Sequence, residues 1–283
     1  MAPSPSWHSA GRCITFAGAA GIMGIVNINQ DSFYASSRAD GTDAAVKKAL
    51  QMVQDGADLV DLGAESSRPG ATPVAAEEEL SRLLPVVDRL SAEGVPLSVD
   101  TYHAATAAAV LEHGAEVIND ISACSFDPAL LDVLVQYKPA YVLMHCQGTP
   151  STMQDAPHYD NVLDEVTAFF ACHMDRLVRA GLPEENILLD PGIGFGKKCG
   201  HNLALMAHPE AWASLGRPSL MALSMKSVFK DLLGLDVEAR RQATQTATAL
   251  CFTKGYLWHR VHDVPATRDT LVLCNAIAGP SCR

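Results

Sequence analysis

No two cysteines are spaced Cys-x-x-Cys; the eight, at positions 13, 124, 146, 172, 199, 251, 274 and 282, are scattered along the chain. That excludes a zinc framework and, in a chain of 283 residues, fits a reducing compartment, so a cytoplasmic location is expected. No apolar run reaches the roughly 20 residues of a membrane-spanning helix, and no membrane partner is expected. The apolar stretch 13–28 follows Arg12 but no basic cluster, and is therefore read as a first strand rather than a signal peptide. An excess of positive charge is also missing. With 21 Lys and Arg against 32 Asp and Glu, the net charge of −11 argues against a nucleic-acid partner. A small anion held by a few local cations remains compatible with it. Finally, no segment is rich enough in Pro, Gly or Ser to be an interdomain linker.

What is present is a large apolar fraction, 48%, with only 19% charged residues, the balance of a globular protein with a substantial core. Short apolar runs at 22–27, 58–62, 96–100, 116–119, 140–145, 186–190, 219–224 and 257–262 read as buried strands. Helical spacing fills the gaps, for instance over 43–55, 75–92, 102–113 and 163–180. Strands alternating with helices and no linker predict an α/β protein, a single (β/α)8 TIM barrel. In that reading residues 1–20 are a short N-terminal cap, 21–279 the barrel and 280–283 a frayed tail.

Ligands of such barrels sit at the C-terminal ends of the strands. Here those ends carry Asn27, Glu65, Asp100, Asn119, His145, Asp190, Lys226 and His262, polar residues that a barrel would converge on one pocket. The run from Ile187 to Lys197, Ile-Leu-Leu-Asp-Pro-Gly-Ile-Gly-Phe-Gly-Lys, places Asp190 at a strand end followed by close-approach glycines. Taken alone, Asp190 could simply open a turn. A nucleotide loop is excluded, because Lys198 stands where Ser or Thr is required and no glycine lies five residues before Gly196. Arg260 and His262 lie two apart, so on a strand they share a face and make an anion site. An Arg–Asp surface pair with His262 packed beneath it explains the same residues equally well. By the same alternation Ser224 and Lys226 share a face and Met225 turns away from it. The loop from Asn27 to Gly41 is long for a strand–helix connection and therefore lid-like. That from Gly63 to Gly70 offers two hydroxyls, an Arg and a hinge-capable Pro-Gly. An ordinary solvated loop explains either equally well.

Together these stretches resemble the dihydropteroate synthases. The carriers are Gly24-Ile-Val-Asn27 with Asp31-Ser-Phe33, Glu65-Ser-Ser-Arg-Pro-Gly-Ala71, Ser98-Val-Asp-Thr101, Ile118-Asn-Asp120, Leu143-Met-His145 with Gly148-Thr-Pro150, Leu189 to Lys197, Ser224-Met-Lys-Ser227 and Arg260-Val-His-Asp263. The resemblance implies a (β/α)8 barrel that joins p-aminobenzoate to a 7,8-dihydropterin diphosphate and releases pyrophosphate, assisted by Mg²⁺. It implies a pterin pocket of Asp100, Asn119, Asp190 and Lys226, and a diphosphate and Mg²⁺ end at Asn27, Arg260 and His262, with Asn27 the metal ligand. Phe33, Ser67, Arg68 and Pro69 with Ser224 correspond to the p-aminobenzoate side. A sulfonamide target and a homodimer are further expectations of the resemblance.

The chain departs from the family pattern at Asn29-Gln30, where Thr-Pro is usual, at Ala35 in place of an acidic residue, at Ala64 and Ser67 in place of Gly and Thr, and at Met225 in place of Arg. Two other functions compete. A pterin-dependent methyltransferase shares the barrel but needs no diphosphate site, so Arg260 with His262 weighs against it. A non-catalytic pterin-binding homologue is compatible with the loop departures.

Overall fold

A computed structural model describes residues 6–28, 38–65 and 74–278. The chain opens with a hairpin, β1 (Trp7–Ser9) against β2 (Arg12–Ile14), paired antiparallel. The barrel follows: β3 (Gly21–Asn27), α1 (Arg38–Asp55), β4 (Leu59–Gly63), α2 (Ala76–Ala92), β5 (Leu97–Asp100), α3 (Ala104–Glu112), β6 (Val117–Asp120) and α4 (Leu130–Tyr137). Its second half is β7 (Ala140–Met144), α5 (Val162–Ala180), β8 (Ile187–Asp190), α6 (Cys199–Ala207), β9 (Leu220–Met221), α7 (Val228–Leu233), α8 (Arg240–Lys254), β10 (Trp258–Val261) and α9 (Val264–Ala278).

Strands covered on both faces need no polar alternation, and β3, Gly-Ile-Met-Gly-Ile-Val-Asn, is buried at all but its last residue. Helix α5 buries one apolar stripe against the strands, made of Val162, Val166, Phe170, Met174 and Leu177. Its start is capped by Asn161, whose side chain accepts from the amides of Leu163 and Asp164, and Gly181 closes it in the left-handed region.

All eight barrel strands pair in parallel, in the order β8-β7-β6-β5-β4-β3-β10-β9. A bridge between Leu189 and Ser219, with the Leu189 amide donating to the Pro218 carbonyl at 3.0 Å, joins the two ends of that row into a barrel. The register decides where the site lies. Asn27 is level with Gly63, Gly63 with Asp100, and Asp100 with Asn119, so four neighbouring strands end at one height. At the opposite mouth the hairpin closes the base. Trp7 is 1% exposed, meets Trp258 edge to face at 5.2 Å and donates from its indole to the Asn186 carbonyl at 2.9 Å. Met23, Leu59, Val117, Leu188 and Leu220 pack around it.

Two expectations need correction. The run 13–28 is not one strand, because it breaks between Ile14 and Gly21 into a hairpin strand and the first barrel strand. The strand expected over 219–224 is only Leu220–Met221, and beyond it the backbone turns, with Met225 at φ +61. Residues of that segment are therefore not governed by strand alternation. The other strand limits differ from expectation by no more than one residue at either end. Among the described residues no helix is long and apolar enough to cross a membrane.

Candidate active site

Register alone brings the first carboxylates together; what holds them is a cation from the last strand. Arg260 on β10 points into the barrel mouth, its Nε 2.6 Å from Asp61 and its Nη2 2.6 Å from Asp100. Asp61 is 0% exposed and also accepts from the Ser98 hydroxyl at 2.5 Å and the Asn119 amide at 3.1 Å. One buried carboxylate thus receives donors from β5, β6 and β10, the satisfaction that a buried charge requires. Burial works against the Arg260 charge, but Asp61 and Asp100 outweigh it and hold the guanidinium ionised. Burial also pushes Asp100 up to about 7, although Arg260 pulls the other way.

Asp190 ends β8 at 3% exposure. Its Oδ1 accepts the Gly192 amide at 2.7 Å, burial raises its pKa, and its other oxygen remains for a ligand. Lys226 stands opposite, its ammonium 4.2 Å from the centre of the Phe195 ring. Burial lowers Lys226 to about 8, with Asp190 and Asp100 resisting that shift. Beside this ring of charges lies an apolar wall of Ile121, Met144, Met153 and Phe195, backed by Tyr102 and Phe126. A flat heteroaromatic ring with donors and acceptors on its edge meets here both a wall to lie on and carboxylate, amide and ammonium partners.

Asn27 is the exposed last residue of β3. A Cβ placed on Gly63 would be 3.8 Å from the Asn27 amide oxygen and 3.9 Å from Asp100 Oδ2, so the glycine leaves a gap between those two side chains. No group of three or more His, Cys, Asp or Glu among the described residues could hold a metal ion. A single amide oxygen suits Mg²⁺, which keeps several waters and takes phosphate oxygens rather than a cage of protein ligands.

Asp100, Asn119, Asp190, Lys226 and Arg260 are brought to one mouth of the barrel, as expected. The expected face-sharing of Arg260 with His262 does not occur. β10 ends at Val261, so His262 lies past the strand, and its Nδ1 is 2.9 Å from Ser224 Oγ while Arg260 binds Asp61 and Asp100. Ser224 and Lys226 likewise part company. Met225 occupies the left-handed region, its amide donating to Thr244 Oγ1 at 3.3 Å and its carbonyl accepting from the buried Arg240 at 3.0 Å. That turn sends Ser224 toward His262 and Lys226 toward Phe195. Met225 is not turned away from the site region either. With Ser224, His262, Lys47, Lys48 and Arg241 it lines a groove of about 830 Å³ between α1 and α8. Phe33, Ser67, Arg68 and Pro69, like Asn29, Gln30 and Ala35, lie outside the described residues.

Sequence reasoning missed Asp61, Ser98 and Lys197. The signal for Asp61 was available: a carboxylate inside an otherwise apolar strand needs a buried cation, and among the described residues Arg260 is the one arginine inside a barrel strand.

Known proteins resemble this chain over most of its length. A family profile described as pterin binding enzyme matches residues 23–262. The chain is 40% identical over 244 residues to a dihydropteroate synthase of Bacillus subtilis (strain 168), spanning 86% of this chain and 83% of that one. Among solved structures, Yersinia pestis dihydropteroate synthase with a sulfonamide drug superposes with a TM-score of 0.89 at 35% identity, covering 96% of this chain and 98% of the other. Xanthomonas albilineans dihydropteroate synthase with 4-aminobenzoic acid gives 0.88 at 40% identity, covering 98% and 99%.

Proposed function

The chain belongs to the pterin binding enzymes, as one of their dihydropteroate synthases, and from that premise we propose how it works in folate biosynthesis. It condenses p-aminobenzoate with 6-hydroxymethyl-7,8-dihydropterin diphosphate to give 7,8-dihydropteroate and pyrophosphate. The observation that carries this reading is the pocket where Arg260 bridges Asp61 and Asp100 within reach of Asn119, Asp190 and Lys226.

The pterin edge binds Asp190, Asn119, Asp100 and Lys226. Asp190 accepts from it with the oxygen not bound to Gly192, and Asn119 presents the carbonyl end of an amide whose nitrogen is bound to Asp61. The C–O bond to the diphosphate breaks first, its electron pair leaving with pyrophosphate. The aryl amine then captures the delocalised pterin-methyl cation to form the C–N bond, its proton passing to the pyrophosphate or to water. Arg260, and His262 from past the strand end, would bind the leaving group, and Asn27 would hold the Mg²⁺, which would offset charge on the departing diphosphate. Developing positive charge on the pterin methylene is countered by the Asp61 and Asp100 carboxylates, which are already oriented before substrate arrives. Phe33, Ser67, Arg68, Pro69 and Ser224 take the p-aminobenzoate, and a sulfonamide competes there.

Exposed Leu232, Leu233, Leu250, Val272, Leu273 and Ile277 on α7, α8 and α9 support a homodimer through those helices. The free, partly buried cysteines among the described residues support a cytoplasmic location. The test of function is pyrophosphate release with both substrates, with and without Mg²⁺. Turnover that needs p-aminobenzoate and Mg²⁺ is expected; pterin binding without pyrophosphate release would refute it.

A further inference from the structure

Lys197 is 3% exposed, and a lysine that deep needs an explanation. Its ammonium lies 2.8 Å from His145 Nδ1 and 3.2, 3.0 and 3.0 Å from the carbonyls of His145, Gly192 and Phe195. Four acceptors surround a group with three protons, so no position is open for a ligand. His145 is the partner suited to this: burial, and then the Lys197 charge, lower it to about 3, leaving a neutral ring with a lone pair at Nδ1. The turn itself is pressed onto the end of β7. A Cβ on Gly192, at φ +66, would be 1.9 Å from the His145 carbonyl oxygen, and one on Gly196, at φ +62, would be 2.4 Å from that of Gln147. Outer fastenings come from Asn202, which accepts the Gly194 amide at 2.9 Å, and from Tyr159, which donates to the Gly196 carbonyl at 2.9 Å.

We infer that Lys197 is a positioning residue for the pterin end of the site: with His145 it clamps the 192–196 turn to β7, and so sets Asp190 and the Phe195–Lys226 pair together. The turn begins at the amide that binds Asp190 Oδ1, and it carries the ring on which Lys226 rests. Gly194 stays close to the Lys226 stem, since a Cβ there would be 3.3 Å from Lys226 Cδ. Loosening one end of the turn therefore moves two opposite partners of a bound pterin. Lys197 itself touches no substrate. This inference rests on the pterin reading above, and the experiment separates the two.

Lys197→Met keeps length and removes the donors; His145→Leu removes the imidazole acceptor, and His145→Asn restores one. Hydrogen exchange of the free protein reads the clamp without any ligand. Faster exchange at the Gly192, Gly194 and Phe195 amides is expected in Lys197→Met and His145→Leu, and not in His145→Asn. Calorimetry with 6-hydroxymethyl pterin should then show affinity reduced at least tenfold in Lys197→Met and severalfold in His145→Leu. KM for p-aminobenzoate should stay within twofold, a split that general loss of structure does not give. Should Lys197→Met fail to fold, the two His145 variants carry the test, since the lysine keeps its three carbonyls in both. Unchanged exchange, or equal behaviour of the Leu and Asn variants, overturns the clamp. Changed exchange with unchanged pterin affinity keeps the clamp but overturns its positioning role. Failure of the unaltered chain to bind pterin overturns the functional reading instead.

Discussion

Asp61→Asn and Asp100→Asn remove one negative charge each from the same guanidinium, and they should differ in how stability depends on pH. Asp61 is fully buried and serves Arg260, Ser98 and Asn119 at once. Hydrogen bonds to charged groups contribute about 1.5–3 kcal/mol, and breaking a buried ion pair costs about 3–5 kcal/mol. Arg260 keeps Asp100, and the Ser98 hydroxyl can reorient toward the new amide, so the lower part of that range applies. A loss of roughly 3 kcal/mol is expected, a large part of a total of about 5–15 kcal/mol. Asp100 is different. Its carboxyl, ordinarily at 3.8, is pushed up to about 7 by burial. The folded protein thus holds a proton that the unfolded chain has already released, and stability from this group falls as pH rises from about 4 to 7. Asparagine imitates the protonated form and escapes that fall. Urea unfolding at pH 5 and pH 8 measures both. Asp61→Asn should lose stability at each pH, whereas Asp100→Asn should gain stability relative to the parent between pH 5 and pH 8. If Asp61→Asn unfolds at the same urea concentration as the parent with the same slope, the buried network does not stabilise the barrel mouth as argued.

Asp190→Asn should weaken pterin binding about tenfold to a hundredfold, one charged hydrogen bond, as read by calorimetry. Because His262 is exposed and bound to Ser224, His262→Ala should leave the melting temperature and the affinity for bare hydroxymethyl pterin unchanged. Its affinity for the diphosphate substrate should nevertheless fall severalfold, and equal losses for both ligands would move His262 out of the leaving-group end. Gly192→Ala meets a backbone oxygen at 1.9 Å, whereas Gly234→Ala, at φ +70, meets nothing within 4 Å. The first should therefore cost several kcal/mol and the second only about 1 kcal/mol of left-handed strain, compared by urea unfolding. A homodimer through α9 predicts that Leu273→Glu sediments as a monomer.

The barrel was legible because its strands are short apolar runs ending in a polar residue, and parallel register then sets those ends level. Asn27, Asp100, Asn119 and Asp190 could be read in this way since each is the last strand residue or stands next to it. Asp61 escaped because it sits in mid-strand, where attention falls on hydrophobicity rather than on what a buried charge must find. Period-two reasoning failed at Ser224 to Lys226 for a non-local reason. Arg240 and Thr244, from the next helix, hold Met225 in a conformation that no strand contains. Lys197 was obscured by its surroundings, a glycine-rich stretch that invites comparison with phosphate loops, while its partner His145 is 52 residues away.

The hairpin at the barrel base bears on how the protein is made. Trp7 precedes the barrel in the chain, yet the ring it leans on, Trp258, belongs to the last strand, which also supplies the parallel partner of β3. A nascent chain that has not reached Trp258 leaves one edge of β3 bare and its first tryptophan without its closest aromatic neighbour. Such an edge pairs readily with other chains. The seal at the base therefore forms only after the last barrel strand has emerged from the ribosome, and the step that buries Trp7 is the step that removes the sticky edge.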